Sequence, residues 1–278
     1  MNICYYNGKY LNKDEISISP DDRGFLFADG LYEVIKSYNG RMFQAKMHIE
    51  RLNYGAREIQ LSINDFDYLI DISKELIKKN NLEAKDSAIY FQVTRGIAPR
   101  LHSFPDILTP LTVYGYAKEL TSNKLQLKDG INIIKVPDIR WARCDIKTVG
   151  LIANVLANQK AHSNNAAEAI FVKDGMALEG TSTNLIGIYD GCVVTAPKNN
   201  YILGGITREV VLNLCRKLNI TVLEKPIPSD KLEMADELMI VGTTTEITPI
   251  VKIHGKSLGS GKPGPITKKL QKEFFLLT

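Results

Sequence analysis

The chain has 278 residues, of which 44% are hydrophobic and 24% charged, the proportions of an ordinary globular protein with one large core or two modest ones. Its 35 basic against 31 acidic side chains leave a net charge of +4, interspersed rather than blocked, which is too mild to imply nucleic acid. Cys4, Cys144, Cys192 and Cys215 stand far apart with no CxxC and no histidine cluster, so neither disulfides nor structural zinc are expected. Residues 1–8 lack the basic-then-apolar layout of a signal peptide, and no apolar run is long enough for a bilayer, so the expected setting is reducing and cytoplasmic, without a membrane partner.

In chain order, Asn7-Gly8 and Asn39-Gly40 each stand between strand-forming runs and suit the positive φ angles of two-residue hairpin turns. Residues 47–61 predict a helix with Ile49, Leu52 and Ala56 on one face, and 66–79 a second, its apolar residues spaced by three and four. Strands are expected at 88–94 and 111–117. The stretch 118–126 is polar and aperiodic, so a linker is placed at 120–125, between an N-terminal domain of residues 1–119 and a C-terminal domain of 126–278. Beyond it come a strand at 131–136, a helix at 151–164 and a strand at 169–172. After the turn Asp174-Gly175, strands 185–188 and 193–195 pair around Asp190-Gly191. A helix at 207–218, a strand at 237–242 and a closing helix at 268–275 complete an α+β protein of two domains.

Four segments carry candidate chemistry. Lys147 is the only lysine between Lys135 and Lys160, and the residues after it, 148–159, are uncharged. Partial burial beside apolar residues favours the neutral, nucleophilic amine that forms Schiff bases; from this segment alone a lysine snorkelling at a helix start fits as well. Leu203-Gly204-Gly205-Ile206-Thr207 opens a helix, where outward N–H groups and the dipole attract anions, although such starts are most often plain N-caps. Thr243, in Gly242-Thr243-Thr244-Thr245-Glu246, places hydroxyls at a strand end where they could serve a phosphate, although such a stretch is more often a plain turn. Glu179 falls between an apolar strand and the hydroxyl-rich bend Thr181-Ser182-Thr183; pointing inward, it needs a cationic or hydrogen-bonding partner, and a protonated pyridine nitrogen is one.

The combination, in this order, resembles the fold-type IV pyridoxal-phosphate enzymes, the class-IV aminotransferases, over nearly the whole chain. The resemblance is carried by the run from Asp22-Arg23-Gly24-Phe25-Leu26-Phe27-Ala28-Asp29-Gly30 to Leu31-Tyr32-Glu33-Val34, by the Lys147 segment, by residues 178–184 and by Gly205-Ile206-Thr207-Arg208. Tyr32-Glu33-Val34 and the stretch Thr94-Arg95-Gly96-Ile97-Ala98-Pro99-Arg100-Leu101-His102-Ser103-Phe104-Pro105 are similar to the D-amino acid aminotransferases within that family.

The resemblance implies a two-domain α+β architecture, with a smaller N-terminal α/β domain and a larger C-terminal domain with a β-barrel-like core. It implies pyridoxal 5′-phosphate as cofactor, held through a Schiff base by Lys147, which also shuttles the proton. Glu179 would pair with the pyridine nitrogen; Arg51, Ile206, Thr207 and Thr243 would bind the phosphate; Leu203 would pack on the ring. Tyr32, Arg100 and His102 would trap the α-carboxylate of the substrate, with Arg100 and His102 reaching in from the neighbouring subunit of a homodimer. The implied activity is transfer of the amino group of a D-amino acid such as D-alanine to a 2-oxo acid such as 2-oxoglutarate. An aminodeoxychorismate lyase, a branched-chain L-amino acid aminotransferase and a non-catalytic binding module on the same scaffold are the alternatives. Five positions depart from the family pattern: Ala28 for glycine, which reads as a minor change in volume, Thr148-Val149-Gly150 for Ser-Leu-Asn, and Gly242 for serine.

Overall fold

The structure, a computed structural model, describes residues 2–121 and 123–278; Met1 and Ser122, the latter inside the expected linker, lie outside them. Two compact units form. The first comprises residues 2–121 together with Ile146–Leu151, the second residues 123–145 and 152–278. A boundary drawn by chain order assigns 146–151 to the second domain. The segment groups instead with the first because its backbone pairs there: Tyr32 N donates to Lys147 O (3.1 Å) and Val149 N to Gly30 O (3.1 Å).

The first unit is built on six strands, β1 (Ile3–Tyr6), β2 (Lys9–Asn12), β3 (Gly30–Tyr38), β4 (Arg41–Met42), β5 (Ser87–Thr94) and β6 (Thr112–Glu119), in the order β2-β1-β6-β5-β3-β4. All the pairings are antiparallel. Its helices are α1 (Arg23–Phe27), α2 (Ala45–Glu58) and α3 (Leu69–Lys79). Side chains alternate across a strand. Leu31 and Ile35 of β3 and Ile89, Phe91 and Val93 of β5 therefore share one core with Ile49, Leu52, Leu69 and Leu76 of the two longer helices. The opposite face carries Tyr32, Tyr90 and Tyr116, whose rings stack at 5.8 and 5.2 Å.

The second unit has strands β7 (Ile131–Pro137), β8 (Glu168–Lys173), β9 (Met176–Gly180), β10 (Asn184–Tyr189), β11 (Cys192–Thr195), β12 (Val222–Glu224), β13 (Ile227–Pro228), β14 (Glu237–Gly242), β15 (Glu246–Ile253) and β16 (Lys256–Ser257), with helices α4 (Lys124–Asp129), α5 (Ile152–Ser163), α6 (Ile206–Lys217) and α7 (Pro265–Phe275). Six of the strands, β10-β14-β15-β7-β8-β9, close into a ring, because β9 pairs back onto β10 through Asn184 and Glu179. Closure removes sheet edges, and Ile133, Ile170, Ala177, Leu185, Leu238, Ile240 and Ile250 form the associated core. The α+β class and the barrel-like core match the expectation.

All four expected turns have both central residues at positive φ: Asn7-Gly8 (45°, 87°), Asn39-Gly40 (48°, 81°), Asp174-Gly175 (50°, 76°) and Asp190-Gly191 (48°, 73°). A fifth, His254-Gly255 (48°, 80°), joins β15 to β16 and carries no sequence signal at its first position beyond the glycine. The expected helix 47–61 ends early, at Glu58, because Gln60 turns left-handed (φ 54°) and Leu61 N donates back to Ala56 O. β6 ends at Glu119, just before the expected linker 120–125, and α4, which buries no residue, starts inside it at Lys124. Strands β12, β13 and β15 had no counterpart in the sequence reading. Ala28 is the C-cap of α1 at φ 56°, so its exchange for glycine is a matter of backbone strain rather than volume.

Candidate active site

In the first unit, Lys147 sits on an extended segment anchored by the buried Ile146 and by the backbone bonds to β3. Its Nζ lies 4.1 Å from the centroid of the Tyr32 ring, so the structure brings these two expected site residues together. The Tyr32 ring is backed in turn by Tyr90, whose hydroxyl donates to Gln92 Oε1 (2.8 Å).

Arg51 projects from α2 onto Glu33 of β3. Its Nε donates to Glu33 Oε2 (2.9 Å) and its Nη2 to Oε1 (2.7 Å), while His48 Nδ1 donates to the same Oε1 (3.0 Å) and Val34 N adds a fourth bond (2.8 Å). Burial alone raises a carboxyl pKa, but the Arg51 and His48 charges and hydrogen bonds outweigh it and hold Glu33 well below its ordinary value. Burial, the largest cause, pushes the His48 imidazole down, against the opposing pull of Glu33. A fully buried carboxylate thus fixes the arginine's planar fork. Sequence reasoning named Arg51 but not Glu33 or His48; the signal was Glu33 standing between Leu31 and Ile35 on the core face of a strand.

Arg100 and His102 lie on an exposed loop after β5. Both meet the ring of Phe27, with the Arg100 guanidinium carbon 5.2 Å and the His102 ring 5.6 Å from its centroid.

In the second unit, Glu179 is buried at the end of β9, where the six-strand ring closes. Arg140 Nη1 donates to its Oε1, and Asn184 Nδ2 (2.9 Å) and the backbone N–H of Leu203 (3.0 Å) donate to Oε2. Arg140 is itself clamped by Asp138 and lies over the Phe171 ring at 4.2 Å. Burial works against its cation, yet Asp138 and Glu179 more than compensate and raise its pKa. The partner that a buried Glu179 required is therefore supplied by the protein, through Arg140 and Asn184, neither of which the sequence reading named. Asp138-Ile139-Arg140, a carboxylate two residues before an arginine, was the available signal.

The bend after Glu179 is pinned by a second buried carboxylate, Glu168, which accepts from Thr181 N (3.0 Å), Thr181 Oγ1 (2.6 Å) and Thr183 Oγ1 (3.0 Å). The hydroxyls of Thr181 and Thr183 thus bind Glu168. Asn184 then links two further expected residues: its Nδ2 also donates to Leu203 O (2.9 Å), and a Cβ on Gly205 would stand 1.9 Å from its Oδ1. Only glycine fits there, and it starts α6 at Ile206-Thr207 with no side-chain cap, the arrangement that leaves first-turn N–H groups for an anion. Thr243 occupies the turn after β14, next to Gly242, whose Cβ direction meets Thr183 and Ser182 at 3.4–3.5 Å.

The ring closed at Glu179, an uncapped helix start and a lysine on an arginine- and tyrosine-lined unit define a fold known from solved enzymes. A branched-chain amino acid aminotransferase from Escherichia coli superposes with a TM-score of 0.91 at 24% identity, covering 99% of this chain and 94% of that one. Curated relatives include proteins named D-alanine aminotransferase from Staphylococcus haemolyticus, 42% identical over 99% of this chain and 97% of that protein, and from Bacillus licheniformis, 40% identical over 96% and 93%. The family model for amino-transferase class IV matches residues 30–253. The chain belongs to the class IV aminotransferases, and it is an aminotransferase enzyme.

Proposed function

We propose that the protein transfers the amino group of a D-amino acid, such as D-alanine, to a 2-oxo acid, such as 2-oxoglutarate, with pyridoxal 5′-phosphate as cofactor. The observation that carries the substrate class is the full-length likeness to the D-alanine aminotransferases named above, at 40–42% identity.

The donor set supports the cofactor. In the second unit, the uncapped start of α6 at Ile206-Thr207 and Thr243 suit a phosphate, Leu203 packing on a ring and the buried Glu179 a cationic ring N–H; in the first, Arg51 suits a phosphate and Lys147 would supply the amine. When bound, pyridoxal phosphate supplies an aldehyde that accepts the amino group and a ring that delocalises the electron pair left at the substrate's α-carbon. Lys147 Nζ would hold the cofactor and would take and return the proton at the substrate's α-carbon. Glu179, fixed by Arg140 and Asn184, would keep a proton on the ring nitrogen. Arg51, braced by Glu33 and His48, would set its positive charge beside the phosphate. Tyr32, Arg100 and His102 receive the α-carboxylate, Arg100 and His102 from the second copy of a homodimer.

The test uses the purified protein loaded with pyridoxal phosphate. Borohydride should leave a pyridoxyl mass on the peptide containing Lys147 and none in Lys147→Ala. D-alanine with 2-oxoglutarate should then be consumed, while L-alanine, L-leucine and aminodeoxychorismate are not. Turnover of L-leucine in preference to D-alanine would refute the substrate reading, and absence of the pyridoxyl mass would refute the cofactor.

A further inference from the structure

The run 22–29 is among the most distinctive stretches of the sequence, yet none of its residues has a role in the chemistry above. In the structure it forms a bracket for the loop that carries Arg100 and His102. Arg23 N donates to Gly96 O (2.9 Å), Ala98 N donates to Asp21 O (3.3 Å), and Asp22 and Ile97 form an isolated bridge. The Arg23 side chain, 4% exposed, then reaches the loop itself. Its Nη1 donates to Leu101 O (2.6 Å) and Ser103 O (3.3 Å), the two carbonyls that flank His102.

Arg23 is oriented from its other edge. Its Nε donates to Asp29 Oδ2 (2.9 Å), and Asp29 receives Arg95 as well, through Nε to Oδ2 (2.8 Å) and Nη2 to Oδ1 (3.0 Å). Arg95 is 7% exposed, donates to the Ile59 and Gln60 carbonyls, and stacks on Phe104 at 3.8 Å, which secures the far end of the loop. One carboxylate therefore serves two buried guanidiniums, each of which also donates to two backbone carbonyls. Phe27 completes the bracket: its ring receives Arg23 at 4.9 Å, Arg100 at 5.2 Å and His102 at 5.6 Å.

An exposed loop that had to order itself around each substrate would lose binding energy to conformational entropy. A rigid guanidinium fork bonded to both sides of His102, with an aromatic platform beneath the Arg100 and His102 side chains, removes that cost. We propose that Arg23, with Phe27, is the positioning residue that sets where Arg100 and His102 present their donors to the substrate α-carboxylate, and that Asp29 and Arg95 hold Arg23 in place. The proposal rests on the reading of Arg100 and His102 as the carboxylate trap.

The experiment compares Arg23→Gln, Arg100→Ala, the double variant and Phe27→Leu as cofactor-loaded enzymes, using D-alanine and a carboxylate-free amine such as 1-phenylethylamine. Arg23→Gln should raise KM for D-alanine about tenfold or more with little change in kcat, and should leave the half-reaction with the amine unaltered. In the double variant KM should rise by less than the product of the two single effects, because Arg23 acts in part through Arg100. Phe27→Leu keeps every Arg23 hydrogen bond and should raise KM about two- to fivefold, the size of an exposed cation–π contact; it decides the matter if Arg23→Gln does not fold. An unchanged KM in both Arg23→Gln and Phe27→Leu, multiplicative effects in the double variant, or an equal loss with the amine would overturn the positioning role while leaving the trap standing. An unchanged KM in Arg100→Ala would overturn the trap itself and the proposal with it.

Discussion

Replacing Glu33 by glutamine removes one negative charge from a closed cluster and keeps the shape of the side chain. The carboxylate is fully buried and the Arg51 side chain 11% exposed, so little solvent screens the pair. Both carboxylate oxygens accept from Arg51, at 2.9 and 2.7 Å, and one also from His48 at 3.0 Å. An amide presents a donor where an oxygen accepted, so one Arg51 or His48 donor faces another donor, and the guanidinium loses its counter-ion. Breaking one partner of a buried pair costs about 3–5 kcal/mol, most of it from the charge left behind. The assay is urea unfolding of the cofactor-free protein; with a slope of at most about 3 kcal/mol per molar urea, the midpoint should fall by about 1 M or more. Glu119→Gln is the control: its pairing with Lys85 is half-exposed on both sides (57% and 49%), and its loss should cost no more than about 1 kcal/mol. If Glu33→Gln and Glu119→Gln unfold at the same urea concentration, the buried cluster does not carry the stability assigned to it.

Acid should act on the same cluster with a definite sign. His48 is held below its ordinary value near 6.5, so below that pH the unfolded chain binds a proton that the native protein refuses. Stability should decline as pH falls through that region, and the Glu33 contribution should follow below the ordinary carboxyl range; pH-resolved unfolding that is flat from pH 7 to 4 would contradict this. Arg140→Gln deprives Glu179 of a charge-assisted hydrogen bond worth about 1.5–3 kcal/mol, so turnover should slow by roughly 10- to 150-fold with the Lys147 adduct still formed; a loss under twofold would remove Arg140 from the site. Gly205→Ala drives a methyl group into Asn184 and should raise the dissociation constant for pyridoxal phosphate by at least about fivefold, the loss of one hydrogen bond, as read by absorbance titration. Ala28→Gly relieves a left-handed alanine and should stabilise the first unit by up to about 1 kcal/mol in urea; destabilisation would show that the strain is illusory.

Hairpin positions were legible from dipeptides because Asn-Gly and Asp-Gly meet a purely local demand, positive φ at two successive residues. Helix cores were legible for the same reason, while their ends were not: α2 stops where Gln60 turns left-handed, and glutamine carries no cap signal. Strands β12 and β13, of three and two residues, are too short for any periodicity. Lys147, Glu179 and Gly205 stood out as residue types out of keeping with their surroundings. Glu33, Arg140, Glu168 and Asn184 did not, because a buried polar residue declares itself only through its partners, and those partners are distant in sequence: Arg51 from Glu33, Arg140 from Glu179, and Thr181 from Glu168.

The sequence by itself determined the α+β class, the hairpins and the family resemblance, and it named candidate residues for one phosphate-bearing cofactor, since each of these depends on local pattern or on residue chemistry. Tertiary structure decided what no local pattern encodes. It moved 146–151 from the second unit to the first by pairing its backbone with β3. It closed the strand ring at Glu179 and Asn184, and it placed Arg23 behind Leu101 and Ser103, almost eighty residues away (|i−j| = 78 and 80). A side chain's charge is written in the chain, but the carbonyl or carboxylate that orients it is chosen only when distant strands and loops pack together.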